Sequence, residues 1–470
     1  MKKLQITLFL IFLTSVTFAQ TMAGDWYGVL NAGGNKIHLV FHILQSGVAY
    51  SATMDSPDQG AKGLACDSAK INGNQLLIIA ARYNIKYSGL YNADGSIITG
   101  TFTQNGGSLP LDLSRVKGQD AVAAPAKRPQ DPVDFPYKQE QVTFKNSKSG
   151  NTLAGTITLP SDGKVSKIVI LVTGSGPQNR DEEMKQFNHR PFLVWSDWLT
   201  RHGIAVLRYD DRGVAQSTGD YSNATTGDLS DDAEAAVDYL LSRTDTKRLA
   251  IGIMGHSEGG MIAPMVASRN KNVRFVIMLA GPGVPVIQLM LKQTDDQLRL
   301  SGASEQARKS SSAINKKIFT LVADNPGLSK EALKIKIDSL MYRELRAMPK
   351  ADLGDTNIDH MVKASDVQVT SAWYRYFISA NPADYLVKVK CPLLALDGSK
   401  DMQVNAEMNL QGIRESMLKA GNKHAEVIEL EGLNHLFQKA ETGSLAEYSQ
   451  ITETIDPVAL EKVADWINEL

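Results

Sequence analysis

Two hydrophobic patterns divide the chain at about residue 117. In the first part, short segments such as "KIHLVFHILQ" and "IITGTFTQ" alternate apolar and polar residues, and turns rich in Gly and Asn such as "INGN" separate them. Alternation with a period of two is typical of antiparallel strands that are buried on one face. We therefore predict a small all-β domain, a barrel or a sandwich, over residues 20–116. Its aromatic residues Trp26, Tyr27 and Tyr50 belong either to the core or to a ligand-binding surface.

The second pattern, over residues 137–470, alternates continuous apolar runs with amphipathic segments. Runs such as "KIVILVTG", "IAVLRYD" and "RLAIGIMG" have the length and composition of strands that are buried on both faces. The segments between them are helical in periodicity, and "LSDDAEAAVDYLLSR" predicts a helix with Ser230 as its N-cap. This alternation predicts a mostly parallel sheet flanked by helices, preceded by an antiparallel pair of strands, "QVTFKN" and "TLAGTITLP".

Two segments interrupt these patterns. Residues 117–136 are rich in Pro and Ala and have no apolar periodicity, which indicates a linker between the two domains. Residues from about 285 to 378 are polar and prone to form helices, and they separate two of the predicted strands. We interpret this second segment as a helical cap that is inserted over one end of the sheet.

The N-terminal segment "MKKLQITLFLIFLTSVTFAQ" has the features of a secretory signal peptide. Two lysines precede an apolar run, and Ala19 provides a small residue before the expected cleavage site. We therefore predict a signal peptide at residues 1–19 and a secreted or periplasmic location. The apolar run is short for a helix that spans a bilayer, and no other segment reaches about 18 apolar residues. No integral membrane span is expected in the mature chain.

Composition and net charge indicate which classes of partner and cofactor to expect. The chain has 470 residues, of which 43% are hydrophobic and 21% are charged, as in an ordinary globular protein. A formal net charge of -1 provides no field that would attract nucleic acid, so no nucleic-acid partner is expected. Two cysteines cannot form a disulfide scaffold, and the scattered histidines lack metal-ligand spacing. We therefore expect neither a metal nor another cofactor. The sequence carries no signal of the oligomeric state.

The segment "IGIMGHSEGGMIAPMVAS" carries the strongest chemical signal. It places a G-x-S-x-G pattern, from Gly255 to Gly259, between a predicted buried strand and a predicted helix. A nucleophile elbow requires this context, because its serine occupies a strained turn that lifts the hydroxyl clear of the sheet. Glycine is needed at the flanking positions because a Cβ there would collide with neighbouring backbone. We therefore predict that Ser257 is a catalytic nucleophile.

A serine nucleophile needs a general base. On this type of sheet the base follows the serine along the chain, and three histidines do so: His360, His424 and His435. The segment "LEGLNHLF" follows the last predicted strand, at the edge of the sheet where Ser257 is expected to emerge. We therefore predict His435 as the base.

The base in turn needs a carboxylate that orients it. The loop after the preceding strand, "LLALDGSKDMQV", offers Asp397 and Asp401. Asp397 lies at the strand end, where it is better placed to shape the turn with Gly398. Asp401 lies beyond the turn, and we predict that it is the acid.

The reaction also needs two N–H groups that form an oxyanion hole. One is the N–H of Glu258, because it is the residue after the nucleophile. The other is predicted from the glycine-rich loop "LVTGSGPQNRDE", where Ser175 or Gly174 can approach a ligand closely. A phosphate-binding loop is excluded, because Asn179 replaces the third glycine and no Gly-Lys-Ser/Thr follows. Asp210, Asp211 and Arg212 in "LRYDDRGVAQSTG" are expected to brace these loops through an internal ion pair.

Taken together, these motifs resemble the α/β-hydrolase superfamily. The motifs "GSGPQNRDE", "HRPF", "YDDRG", "GHSEGG", "GSKDMQV" and "LNHLF" are similar to those of its bacterial secreted carboxylesterase branch, which includes serine aminopeptidase-like hydrolases. The resemblance covers residues 137–470, and it implies a Ser257–Asp401–His435 triad and hydrolysis of short-chain esters. Two positions depart from the pattern, Ala215 in place of a second glycine and Thr173 in place of a histidine, and neither removes a catalytic group. The β domain resembles one that precedes such hydrolases in some bacteria.

Three functions are compatible with the sequence. The leading hypothesis is a serine esterase that cleaves a small-molecule ester through an acyl-enzyme. The second is a serine peptidase or aminopeptidase with the same triad, acting on small peptides. The third belongs to another class, a surface protein that binds a glycan through its β domain and carries an inert hydrolase domain.

Overall fold

The computed structural model describes residues 22–32, 35–47, 49–92, 96–104, 107–116, 128–161, 163–184, 187–300, 302–348, 358–359, 362 and 369–470. The predicted signal peptide and residues 117–127 of the predicted linker lie outside the described residues. A secreted or periplasmic location therefore stays a prediction.

The first domain is a closed antiparallel barrel. Its strands are β1 (Gly24–Ala32), β2 (Asn35–Ser46), β3 (Ala49–Ser56), β4 (Ala61–Ala65), β5 (Ser68–Asn72), β6 (Gln75–Ala80), β7 (Ile85–Tyr91), β8 (Ile97–Gln104), β9 (Gly107–Pro110) and β10 (Leu113–Ser114). They lie in the order β10-β1-β2-β3-β5-β6-β7-β8-β9, with β4 beside β3. Strand β10 also pairs with β8, and this second pairing closes the sheet on itself.

The apolar residues of the alternating pattern fill the inside of this barrel. In β6, Leu76, Ile78 and Ala80 are buried, and the residues between them are more exposed. Trp26 is fully buried in this core, where its indole N–H donates to the Met22 carbonyl at 2.9 Å. Trp26 is therefore a core residue and does not belong to a ligand-binding surface.

The second domain is built on an eight-stranded mixed sheet. Its strands are β11 (Lys138–Lys145), β12 (Thr152–Leu159), β13 (Lys167–Val172), β14 (Ala205–Tyr209), β15 (Ala250–His256), β16 (Val273–Leu279), β17 (Leu393–Gly398) and β18 (Ala425–Leu430). The order is β11-β12-β14-β13-β15-β16-β17-β18. The predicted antiparallel pair is β11 and β12. The remaining strands, β13 to β18, run parallel to one another.

Both faces of this sheet are covered, as continuous apolar strands require. In β13, Ile168 and Ile170 pack into one hydrophobic core, and Val169 and Leu171 pack into the other. The helices of the described residues are α1 (Pro191–Arg201), α2 (Thr226–Ser242), α3 (Glu258–Ala267), α4 (Val286–Leu300), α5 (Glu305–Ala323), α6 (Lys330–Ala347), α7 (Ala372–Ile378), α8 (Ala383–Leu386), α9 (Ala406–Ala420) and α10 (Pro457–Glu469). Within the described residues, no helix has both the length and the apolar run that crossing a membrane requires.

One helix begins earlier than the sequence pattern predicts. The hydroxyl of Thr225 accepts a hydrogen bond from the Asp228 N–H, and the Asp228 carboxylate accepts one from the Thr225 N–H. This capping box starts α2 at Thr226, so the prediction of Ser230 as N-cap is wrong. Ser230 lies inside the helix and is buried.

Helices α4 to α8 form the insertion between β16 and β17. Ser304 and Ser329 cap α5 and α6, because their side chains accept hydrogen bonds from the N–H groups of the first turns. Residues Phe319 and Ile337 of these helices belong to the same hydrophobic core as one face of the sheet. The insertion therefore packs on the sheet domain and shares its core.

The described part of the predicted linker is attached to the sheet domain. Arg128 is 6% exposed, and its guanidinium donates to four carbonyl groups. These carbonyls belong to two separate loops, and they are those of Phe187, Tyr448, Ile451 and Glu453. Gln130 bonds to the backbone of Thr454 and Ile455 in the second loop. Residues 128–130 therefore join two loops that lie far apart along the chain.

We expect Arg128→Met to destabilise the sheet domain by about 2 kcal/mol or more, because it leaves several buried carbonyl groups without a donor. The measurement is the thermal midpoint of the full chain. Arg248→Met is the matched control, since Arg248 is an exposed arginine of the same domain. Equal midpoints for the two variants would contradict the structural role of Arg128.

Candidate active site

Ser257 occupies a strained turn between β15 and α3. Its backbone has φ 55° and ψ -118°, a conformation that non-glycine residues rarely adopt. Two hydrogen bonds hold it there: the Ser257 N–H donates to the Leu279 carbonyl at 2.8 Å, and the Gly260 N–H donates to the Ser257 carbonyl at 2.9 Å. The turn has the strand, serine and helix arrangement that the sequence predicts for a nucleophile elbow.

The glycines around Ser257 are needed for close backbone packing. A Cβ on Gly255 would lie 1.9 Å from the carbonyl oxygen of Gly259. A Cβ on Gly259 would lie 2.2 Å from the carbonyl oxygen of Val172, at the end of β13. Both distances are far below van der Waals contact, and neither neighbour is a flexible side chain. The expectation that a Cβ at these positions would collide with neighbouring backbone is confirmed.

The loops after β17 and β18 bring Asp401 and His435 together. Asp401 Oδ2 and His435 Nδ1 are 2.6 Å apart, and both side chains are buried. The other carboxylate oxygen of Asp401 accepts hydrogen bonds from the N–H groups of Gln403 and Val404, at 2.7 and 2.8 Å. These bonds fix the carboxylate, which in turn fixes the ring of His435 and leaves Nε2 for other chemistry.

Asp397, the other aspartate of this loop, is fully buried at the strand end. One of its oxygens accepts a hydrogen bond from the Gly398 N–H at 2.8 Å. Burial and the nearby charge of Asp401 raise the pKa of Asp397 well above its usual range. Asp397 therefore shapes the turn at the strand end, and the aspartate that contacts His435 is Asp401.

Ser257 and His435 line the same cavity, which has a volume of about 510 Å³. Its walls carry the aromatic side chains of Phe187, Trp373, Phe377 and Tyr448. No lysine or arginine is found among the described residues that line it. No hydrogen bond joins the Ser257 hydroxyl to His435 in the described structure, and such contacts often tighten only when a substrate binds.

The glycine-rich loop after β13 forms another part of the cavity wall, and two aspartates hold it. The Asp211 carboxylate accepts hydrogen bonds from the Thr173 hydroxyl and the Gln178 N–H, both at 2.9 Å. Asp210 forms an ion pair with Arg180 at 2.6 Å. Ion pairs therefore brace this region as expected, although the partners come from other segments.

Arg212 also forms its ion pair with a residue outside its own segment. It pairs with Asp232 of α2 at 2.6 Å. The expected ion pair among Asp210, Asp211 and Arg212 themselves is not the one that forms, because each of these side chains turns toward a partner outside its own segment.

Of the three N–H groups predicted as oxyanion donors, one is hydrogen-bonded to a protein group. The Gly174 N–H donates to Glu182 Oε1 at 2.7 Å, so a protein acceptor occupies this predicted donor. The N–H groups of Ser175 and Glu258 donate to no protein group among the described residues, and both residues line the cavity. Ser175 and Glu258 are therefore the two candidates that the geometry favours.

Sequence reasoning used only the backbone of Glu258 and missed its side chain. This carboxylate is 1% exposed, and it accepts hydrogen bonds from Thr226 at 2.6 Å, Ser175 at 2.8 Å and the Trp373 indole at 2.9 Å. These donors lie on α2, on the glycine-rich loop and on α7 of the insertion. Glu258 therefore connects the nucleophile helix to three other parts of the cavity wall. The available signal was a charged residue in a glycine-rich motif that is otherwise apolar.

A second pair of residues, His256 and Glu182, was also missed. The ring of His256 lies between Glu182 Oε1, at 3.0 Å from Nδ1, and the His435 carbonyl oxygen, at 2.9 Å from Nε2. Both residues are buried. Glu182 is the last residue of the motif "GSGPQNRDE", and the signal for it was a carboxylate that follows a glycine-rich loop.

Comparison with known proteins supports the classification of the second domain. The family model described as serine aminopeptidase, S33, matches residues 192–441, just over half of the chain. Esterase EstD of Thermotoga maritima is 24% identical over 323 residues, which are 67% of this chain and 66% of EstD. Dipeptidyl aminopeptidase BIII of Pseudoxanthomonas mexicana is 32% identical over 127 residues, 24% of this chain and 17% of that protein. The chain thus spans less than two thirds of the length of these curated relatives.

Among solved structures, esterase Pf2001 of Pyrococcus furiosus aligns with a TM-score of 0.43 and 18% identity, over 72% of this chain and 95% of that one. The hypothetical protein PA2218 of Pseudomonas aeruginosa aligns with a TM-score of 0.45 and 15% identity, over 72% of this chain and 96% of that one.

Glu258→Gln tests the electrostatic cost of the buried carboxylate. Burial raises the pKa of Glu258, although the hydrogen bonds from Thr226, Ser175 and Trp373 favour its charged form. A carboxyl with a raised folded pKa stabilises the fold below its unfolded pKa of about 4.3, and this stabilisation is lost as the pH rises through the folded value. We expect Glu258→Gln to melt above the wild type at pH 8 and at the same temperature near pH 4.

The control for this comparison is Glu461→Gln, an exposed glutamate of α10, which should match the wild type at both pH values. A Glu258→Gln protein that melts below the wild type at pH 8 would show that the hydrogen bonds to the charged carboxylate outweigh its burial.

Proposed function

Because the chain belongs to the serine aminopeptidase S33 family of α/β-hydrolases, we propose that it is a serine hydrolase that cleaves carboxylic esters. One observation carries the proposal: the hydrogen-bonded pair of Asp401 and His435 opens on the same cavity as Ser257 on its strained turn. The similarity to EstD supports an ester substrate.

The proposed reaction uses Ser257, His435 and Asp401 in the roles of a triad. The Ser257 oxygen attacks the ester carbonyl carbon, and its proton passes to His435 Nε2. Asp401 holds the imidazole through Nδ1 and stabilises its charged form. The alcohol leaves with the proton from His435, and an acyl group stays on Ser257. Water, deprotonated by His435, then attacks the acyl-enzyme and releases the carboxylic acid.

The negative oxygen of each tetrahedral intermediate needs hydrogen-bond donors. We assign this role to the N–H groups of Glu258 and Ser175. Glu258 N–H lies at the first turn of α3, where the helix dipole also favours a negative charge. Loss of one such donor typically costs about 3 kcal/mol of transition-state stabilisation.

We propose that the insertion acts as a cap that shapes the acyl site. Leu289, Met290, Trp373 and Phe377 come from its helices, and all four line the cavity. The aliphatic and aromatic side chains among these residues suit an apolar acyl group. Short acyl chains are the substrates that the family resemblance implies, and a cavity of about 510 Å³ also has room for an aromatic acyl group.

A peptidase is the second candidate, because the matching family model is described as a serine aminopeptidase. The same triad and oxyanion donors can cleave an amide, whose leaving group requires a proton from His435. The two candidates therefore differ in the substrate they accept, and the catalytic groups are the same in both.

Replacement of the nucleophile tests the mechanism. We expect Ser257→Ala to abolish labelling by a fluorophosphonate and to lower kcat by at least about 10³-fold. Asp401→Asn should lower kcat by a similar factor, because its amide cannot stabilise the charged imidazole. Ser268→Ala, a serine at the end of α3, is the control and should keep both labelling and turnover. Labelling that persists in Ser257→Ala would show that another residue is the nucleophile.

Substrate comparison separates the two candidate functions. We expect kcat/KM to be higher for p-nitrophenyl acetate and butyrate than for aminoacyl anilides, because the cavity walls offer apolar contacts to an acyl chain. A feruloyl ester in the same panel measures how large an acyl group the cavity admits. A clear preference for the anilides would establish the peptidase.

A further inference from the structure

We propose that Glu182 and His256 form a charged pair that positions the His435 loop and the glycine-rich loop around Ser257. Although both residues line the cavity, neither side chain forms a hydrogen bond with the Ser257 hydroxyl or the His435 ring among the described residues, so we assign both a positioning role. The proposal rests on the proposed function of the site, and it adds a second acid–histidine pair behind the first.

The first argument is that one carboxylate oxygen connects two catalytic segments. Glu182 Oε1 accepts a hydrogen bond from the Gly174 N–H at 2.7 Å and lies 3.0 Å from His256 Nδ1. Gly174 precedes the proposed oxyanion donor Ser175, and His256 precedes the nucleophile Ser257. The carboxylate therefore links the oxyanion loop directly to the end of the nucleophile strand.

The second argument is that His256 extends this link to the base. Its Nε2 lies 2.9 Å from the carbonyl oxygen of His435, and the two imidazole rings are 4.8 Å apart between centroids. Asp401 fixes His435 through its side chain, whereas His256 fixes it through its backbone. His435 is thus held at two points that come from different strands.

The third argument concerns the protonation of His256. Both ring nitrogens face an acceptor, a carboxylate at Nδ1 and a carbonyl at Nε2, and each hydrogen bond requires the nitrogen to donate. A neutral ring has only one N–H, so with Glu182 ionised both contacts are hydrogen bonds only when His256 is the imidazolium. The resulting ion pair between His256 and Glu182 is buried, and each of the two ring N–H groups of His256 has an acceptor.

A buried histidine of the same region behaves differently. His189 Nε2 bonds to the Thr454 carbonyl at 3.0 Å, and its Nδ1 has no partner among the described residues. Burial lowers the pKa of His189 to about 3. His256 has the Glu182 carboxylate at the ring position where His189 has no partner, and this carboxylate acts to raise the pKa of His256.

The titratable groups that face His256 are Glu182, His435, Asp401 and His189. Burial acts to lower the pKa of His256, but the charge and hydrogen bond of Glu182, the His435 carbonyl and the charge of Asp401 outweigh it and raise that pKa above 6.5. The bridge is therefore intact below this value, and it loses one hydrogen bond as the pH rises through the raised pKa. Activity that depends on the bridge should fall on the alkaline side.

Glu182→Gln is the sharpest test, because it keeps an oxygen that can accept from Gly174 and His256 but removes the charge. We expect the alkaline fall of kcat/KM to move to lower pH by about 1–3 pH units relative to the wild type. Both side chains also line the cavity, so a positioning role is distinguished from direct substrate contact by an effect on kcat with little change in KM. Glu183→Gln, the same change one residue along the chain, should reproduce the wild-type profile. Coinciding profiles for Glu182→Gln and the wild type would overturn the proposal.

His256→Gln provides a second measurement that does not depend on Glu182. We expect it to lower kcat at least about tenfold and to remove the alkaline fall, because no group at residue 256 then titrates. An unchanged kcat, or an alkaline fall that persists, would overturn the proposal. Fluorophosphonate labelling of Ser257 in each variant separates this result from the proposed function, which fails only if labelling does not depend on Ser257.

Discussion

The candidate active site depends on close backbone contacts at residues 255 and 259, where no side chain has room. Helix α3 starts so close to the end of β13 that residue 259 faces the Val172 carbonyl, and the turn is so tight that residue 255 faces residue 259. Only glycine fits at either position. Ser257 lies between these two glycine positions and adopts its strained conformation there. The Ser175 loop lies beside Glu258 at the start of α3, so one constraint would place both the proposed oxyanion donors and the proposed nucleophile.

The features that the sequence predicts well are those that a local pattern determines. Continuous apolar runs identify the strands of the sheet, and their parallel order follows from the helices between them. Parallel strands end at the same edge, so loops after β17 and β18 had to bring Asp401 and His435 toward Ser257, and the structure places Asp401 and His435 in contact. The glycines of the elbow were predictable because they form a short motif between a strand and a helix, although the Val172 carbonyl that excludes a side chain at Gly259 belongs to another strand.

The features that sequence reasoning missed depend on contacts between distant segments. Nothing local indicates that Glu258 would accept from Trp373, which lies more than a hundred residues away, or that Glu182 would occupy the Gly174 N–H. The wrong N-cap has another cause. Thr225 and Asp228 form a capping-box pattern that was visible in the sequence, and the apolar periodicity that begins after Ser230 obscured it. Burial of Asp210, Asp211 and Arg212 was correctly associated with ion pairs, but the partners could be read only from the fold.

The attachment of residues 128–130 has a consequence for the cavity. The carbonyls that Arg128 binds belong to loops that carry Phe187 and Tyr448, whose aromatic side chains form part of the cavity wall. A residue that precedes the first strand of the sheet, β11 (Lys138–Lys145), thus supports two sides of the cavity at once.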